Sequence, residues 1–477
     1  MASIVVSSRH AFSRHTLLAN SLSNPRPHLL ARSIATTKSR KDGEHVLSPP
    51  LIPMTPAQTA PPQRRPLASM PTKTLLRGYL LGQIFARPAL MNLGIMVMQK
   101  ISSSKSLLLD PDRNWLLERA IRYSVFNQFC AGSNKREVKG TVTGLKQQGF
   151  SGVILCYAKE LAPEELAESR PDAALVEKHV SQWLDGNNKT LQMLGSGDYM
   201  AIKYTGAGNA VCNALASNIA PPDSFRTAVF SLCQRAQAQG ARIMVDAENQ
   251  AYQSTVDRWT VELMRRFNRD GKVVVLNTYQ SYLKSCRDTL RQHLALAQKE
   301  DWTLGVKLVR GAYIQSDPRH LIHDTKVDTD RCFDSIVEDL ISKSYPGLPS
   351  DAPFPDAQLF LASHNAESTR HALRLHRQLV HAGRNPRPFE SGQLQGMADD
   401  VSCEMLDEGR PARNNGSAEQ RLAAPLVYKY LSWGSVKECL HYLMRRATEN
   451  QGATERLKET VVEMRNELKA RVRGGRA

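Results

Sequence analysis

The spacing of apolar and polar positions changes near Gly152. From Thr72 to Gly149 apolar residues recur at helical intervals, as in Asn114–Phe126, so a helical N-terminal region is predicted over 72–149. Beyond it lie eight short runs rich in Val, Ile, Leu or Tyr, at 152–157, 200–206, 242–248, 272–280, 304–311, 358–365, 387–396 and 425–431. Each is bounded by Gly, Asn or polar residues and followed by a longer helix-like stretch, as expected of parallel strands buried on both faces. Eight such units predict an α/β fold, a (β/α)8 barrel of the TIM type over residues 150–452. A doubly wound sheet is the competitor, disfavoured by the count of eight and by the lack of a Gly-rich first turn.

Most runs begin apolar and end polar: Lys203, Asp246 and Glu248, Gln280, Lys307 and Arg310, His364 and Asn365, Tyr430. In a barrel the C-terminal strand ends converge on one mouth, where such folds carry their chemistry. Cations, a carboxylate, amides and an imidazole gathered there suit an anionic, nucleotide-like ligand. A dinucleotide fingerprint fails, because the glycine-rich stretch at Tyr204–Val211 puts Val211 in the last glycine place. Neither a phosphate-binding GxxxxGK loop, HExxH nor GxSxG is present. His371, His376 and His381 are five apart, which scatters them around a helix, and no metal site is expected.

After the eighth run, Tyr442, Arg445, Arg446 and Glu449 share one helical face, and Leu440, Leu443, Met444 and Ala447 lie about 200° away. Periodicity alone favours an outer helix with a solvated charged face. The sharper alternative is a helix over the mouth whose adjacent guanidiniums bind a carboxylate.

Composition adds an address. The chain has 477 residues, 41% hydrophobic and 23% charged, so most of it is able to bury a core, and its formal charge is +17. Residues 1–41 hold five Arg and two Lys with no Asp or Glu, the character of a mitochondrial transit peptide. Their seven charges leave less to explain by nucleic acid, and no nucleic-acid partner is expected. Eight prolines between 45 and 71 suggest an extended linker over 42–71. Eight scattered cysteines without a CxxC read as reduced thiols. The uncharged stretch Pro88–Gln99 has 12 residues, against about 20 needed to span a bilayer, so a soluble or peripheral protein is expected.

Nine segments together resemble the proline dehydrogenase family. They are Phe129–Gly132, Lys203–Gly206, Asp246–Glu248, Asn277–Gln280, KLVRGAY at 307–313, Ser363–Ala366, Gly392–Met397, Val427–Tyr430 and YLMRRATEN at 442–450, in family order. The resemblance implies a distorted (β/α)8 barrel with noncovalent FAD. It also implies oxidation of L-proline to Δ1-pyrroline-5-carboxylate by hydride transfer from proline C5 to flavin N5. It assigns Arg445 and Arg446, aided by Lys203, to the proline carboxylate, and Asp246 to an ion pair steadying the two arginines. Tyr430, Tyr442 and Leu394 would wall the pyrrolidine ring. Gln280, Lys307, Val309, Arg310 and Gly311 would line the isoalloxazine, with His364, Asn365 and Glu449 also on the FAD side.

Bacterial members of the family typically carry Arg at the place of Lys307 and Lys at that of Arg310. The polar stretch Asp407–Ser417 extends the usual pattern and is expected to be a surface loop or part of a lid. The resemblance further implies ubiquinone as electron acceptor and peripheral contact with the matrix side of the mitochondrial inner membrane. The basic C-terminal helix or tail over 453–477, where Arg465, Lys469, Arg471, Arg473 and Arg476 follow a helical stretch, is a candidate for that contact. Alternatives are a hydroxyproline dehydrogenase of the same family, a Schiff-base lyase using Lys203, and a non-catalytic binding protein.

Overall fold

The computed structural model describes residues 65–104, 106–158, 172–349, 352–450 and 454–474, the side chains of Ser103, 445–450 and 454–457 excepted. Eight parallel strands close into a barrel: β1 (Gly152–Tyr157), β2 (Tyr199–Ile202), β3 (Arg242–Val245), β4 (Val275–Gln280), β5 (Leu304–Val309), β6 (Ala357–Ala362), β7 (Glu390–Leu394) and β8 (Leu426–Trp433). Closure comes from β8, which pairs with β7 on one side and β1 on the other, so that Tyr430 lies in register with both Leu394 and Ile154. The barrel expected from the sequence is the barrel observed. A short strand, Cys130–Gly132, also pairs with the end of β8 and was not foreseen.

Before β1 come α1 (Thr72–Phe85), α2 (Pro88–Ser103), α3 (Trp115–Ile121), a π-helical turn (Arg122–Phe126), a short helical turn (Asn127–Phe129) and α4 (Lys135–Gln147). Then come α5 (Ala173–Leu191), α6 (Asn209–Ala216), α7 (Asp223–Gln239), α8 (Gln250–Phe267), α9 (Cys286–Glu300), α10 (Lys326–Ser342), α11 (Ala366–His381), α12 (Asp399–Asn415), α13 (Ala418–Ala423), α14 (Val436–Asn450) and α15 (Thr454–Val472). Local chemistry sets several starts. Asn134 caps α4, Thr325 caps α10, and Ser417 with Gln420 forms a reciprocal capping box on α13.

One core fills the space between strands and helices, and a second fills the barrel with Ile154, Tyr199, Met244, Leu276, Phe360 and Tyr428. The N-terminal end of the barrel is closed by Glu390, which accepts from Tyr199 Oη at 2.7 Å and from Arg242 Nη2 at 2.6 Å. The Arg242 guanidinium stacks 4.0 Å from the Tyr199 ring centroid. Conserving charge at this end serves stability, since the chemistry of such barrels sits at the other.

Two expectations are corrected. Residues 65–70 are not a free linker, because Leu67 and Met70 are buried with Leu75, Cys403 and Met464; the transit segment and 42–64 lie outside the described residues. The stretch after β7 is helical rather than a loop: α12 runs to Asn415 through Pro411, held by its buried face of Val401, Met405, Leu406 and Ala412. The C-terminal segment, expected as a basic helix or tail, includes helix α15 (Thr454–Val472), which packs along α1. Arg471 donates to Glu467, Thr72 Oγ1 and the Leu67 and Ala68 carbonyls. None of the eight cysteines forms a disulfide, and seven are buried.

Candidate active site

The C-terminal strand ends bring Lys203, Asp246, Gln280, Lys307, Val309, Leu394 and Tyr430 to one mouth. Asp246, one residue past β3, is the hub. Lys307 Nζ on β5 reaches its Oδ1 at 2.6 Å, and Tyr430 Oη on β8 donates to its Oδ2 at 2.7 Å. Lys307 also lies 5.3 Å from the Tyr430 ring centroid. Burial opposes the Asp246 charge, but Lys307, Lys203 and the two hydrogen bonds overcome it and hold the carboxyl below its usual range. Burial, reinforced by Asp246, drives the Tyr430 phenol well above its ordinary pKa, so it stays a donor.

Glu248 lies two residues on. Burial raises its pKa against the opposing pull of Lys203 and of Thr205, whose hydroxyl donates at 2.8 Å. Lys203 thus faces two carboxyls. Gln280 Nε2 reaches the Glu248 carbonyl at 3.3 Å, and its Oε1 accepts from Ala312 N–H at 3.2 Å. Behind β4, Asp257 accepts from Gln253 and Asn277, each at 2.7 Å, and Gln253 accepts the Glu248 N–H. This support was not legible in the sequence.

Arg310 is placed differently from a side chain free to line a ligand. Its guanidinium reaches Asp330 at 2.6 Å and Ser363 and Ser368 at 2.8 Å each, over the Phe333 ring. It ties the end of β5 to α10 and α11. Asp330 and Ser368 lie on helices and carried no sequence signal. Gly311 has φ +143°, and a Cβ there would lie 1.9 Å from Tyr282 Cδ1, so only glycine lets the chain leave β5 this way. His364 Nε2 accepts the Leu394 N–H at 3.1 Å, placing the proton of its neutral form on Nδ1. Asn365 spends its side-chain oxygen capping α11.

Tyr442 on α14 is buried beside Leu440, Leu443 and Phe126. Arg445, Arg446 and Glu449 follow on the same helix; their side chains lie outside the described residues. The ion pair between Asp246 and the two arginines therefore falls outside as well, and the partner described for Asp246 is Lys307.

Against known proteins, a family profile described as proline dehydrogenase matches residues 138–459. The probable mitochondrial proline dehydrogenase of Schizosaccharomyces pombe is 30% identical over 405 residues, covering 74% of this chain and 80% of its own length. Mitochondrial proline dehydrogenase 1 of Homo sapiens is 35% identical over 232 residues, 46% of this chain; the match spans only 34% of the human protein. Among solved structures, proline utilization A from Bdellovibrio bacteriovorus, inactivated by N-propargylglycine, superposes with a TM-score of 0.57 at 12% identity. That match covers 81% of this chain and 41% of the other, and it speaks to the fold.

Proposed function

The chain belongs to the proline dehydrogenase family, and on that footing we propose that it oxidises L-proline to Δ1-pyrroline-5-carboxylate with FAD. The observation that carries the reading is the Asp246–Lys307–Tyr430 cluster at the barrel mouth. The donor set fits the cofactor: Lys203 and Lys307 supply positive charge, Gln280 supplies an amide, and Val309 an apolar edge. Gln395 Oε1, just past β7, is buried with no hydrogen-bond partner among the described residues, an acceptor open to a ligand N–H or O–H. When bound, FAD supplies the acceptor for the hydride leaving proline C5.

The chain's own residues bind and orient. Lys203, with Arg445 and Arg446, takes the proline carboxylate. Asp246 stays ionised between Lys307 and Lys203 and anchors the Tyr430 hydroxyl, which fixes the ring of Tyr430. Tyr430 and Leu394, in register on adjacent strands, form a wall for the pyrrolidine ring, and buried Tyr442 extends it. Such placement holds C5 in a near-attack position. Gly311, His364, Asn365 and Glu449 belong to the FAD side. Arg310 acts there by fixing α10 and α11, a task that a lysine, with one ammonium, would share among fewer partners.

The domain reading that goes with this is a transit segment over 1–41, a linker to about residue 64, and the barrel with its packed helices beyond. Delivery to mitochondria, with ubiquinone and peripheral contact at the matrix face of the inner membrane, completes the proposal. Trapping of the pyrroline product with an aromatic amino-aldehyde during turnover on L-proline tests it; no product from FAD-loaded protein would overturn it.

A further inference from the structure

Twelve of the seventeen large hydrophobic side chains exposed among the described residues fall between Leu76 and Tyr123. On α1, Leu76, Leu80 and Ile84 recur every four residues and are exposed, while the opposite face, with Leu75 and Leu81, is buried beside α15. On α2, Leu90, Leu93 and Val97 form a second exposed stripe, and the two helices meet at an elbow of 102°. With 14 and 16 residues, each is shorter than the about 20 needed to span a bilayer, and no single described helix is long and apolar enough to cross one. Helices of this kind lie along an interface.

The charges select the occupant. No Asp or Glu occurs between Arg65 and Leu109, while Lys73, Arg87 and Lys100 are exposed on or between these helices. A second copy docking by the same face would set cation against cation. An anionic lipid surface complements both the apolar stripes and the charge. A pocket of about 110 Å³ lined by Leu81, Phe85, Phe129 and Val461 lies on the inner side of α1, opposite the exposed stripe, and reaches His364.

We infer that the exposed stripes of α1 and α2 seat the protein on an anionic bilayer surface. The inference rests on the peripheral membrane contact proposed above and moves it from the basic C-terminal tail, whose Arg471 is engaged within the fold, to the α1–α2 elbow.

The test pellets the FAD-loaded protein with phosphatidylcholine vesicles containing or lacking cardiolipin, and compares a Leu80→Glu/Leu93→Glu variant. Both positions are half exposed, at 55% and 53%, so folding is expected to survive, checked by thermal unfolding. Binding to cardiolipin vesicles, weakened at least tenfold in the variant, is the expected result. A Leu93→Trp variant provides a second measurement: its added emission is expected to be quenched by brominated lipid, and no quenching would overturn the inference. If both proteins pellet equally, peripheral contact stands and this surface is wrong. If the wild-type chain does not pellet at all, the membrane reading itself fails. A smaller mass for the glutamate variant in solution, with pelleting unchanged, would assign the face to a second copy and overturn the inference.

Discussion

Lys307 Nζ lies 2.6 Å from Asp246 Oδ1, with the two side chains only 8% and 11% exposed. Neither charge is tolerable alone at such burial, since breaking a buried pair leaves an uncompensated ion that costs about 3–5 kcal/mol. Lys307→Met is therefore expected to destabilise by that order in urea unfolding. Adding Asp246→Leu should restore much of the stability and none of the turnover. A Lys307→Met protein of wild-type stability would contradict the pairing.

Tyr430→Phe removes one hydrogen bond to Asp246 and no apolar contact. The expected cost is about 1–3 kcal/mol, for a buried carboxylate oxygen left without its donor. In kinetics kcat/KM for L-proline should fall. An unchanged value would detach Tyr430 from the site.

Two aspartates should respond to pH with opposite sign. Burial pushes Asp257 up to about 6, against the hydrogen bonds from Asn277 and Gln253. Its neutral form is favoured in the fold, so its stabilising contribution is full below the usual value of 3.8 and is lost as pH rises through about 6. Asp257→Asn keeps an oxygen for both amides and should gain stability relative to wild type as pH rises from 3.8 through about 6, and hold that gain above it. Asp246 is held low by Lys307 and Lys203 against burial. Its contribution is present above 3.8 and lost as pH falls through the depressed value, so Asp246→Asn should cost stability at neutral pH and flatten the acid limb. Chemical unfolding across pH distinguishes the two.

Gly311→Ala places a Cβ against the Tyr282 ring at a positive φ. Overpacking and backbone strain together are expected to cost about 2–4 kcal/mol. Because the next residue back is Arg310, FAD content after purification should fall with stability. Full FAD content and an unchanged melting temperature would show that the β5 exit is not constrained as described.

The barrel was legible because parallel strands buried on both faces read as apolar runs. Gly152–Tyr157 is a strand with the bounds its run gave, and the run from Leu304 starts where β5 starts. The site was legible in outline for the same reason, as polar residues such as Lys203 and Asp246 interrupt those runs at one end. What sequence pattern does not carry is long-range pairing. Arg242 with Glu390, or Arg310 with Asp330 and Ser368, meet only after the barrel closes. The stretch at 407–415 misled because its Pro, Gly and charges suggest a loop, and its helix depends on a tertiary surface for Leu406 and Ala412. The exposure of Leu76, Leu80 and Leu93 was hidden in turn, since an apolar stripe on a helix looks the same whether it faces a core or a lipid surface.

The most direct test of the proposed oxidation is an anaerobic absorption spectrum of the purified chain before and after L-proline. A bound flavin spectrum that bleaches on adding L-proline is the expected result. A folded, FAD-supplied protein that shows no flavin band, or a flavin band that L-proline leaves unchanged, would contradict the account.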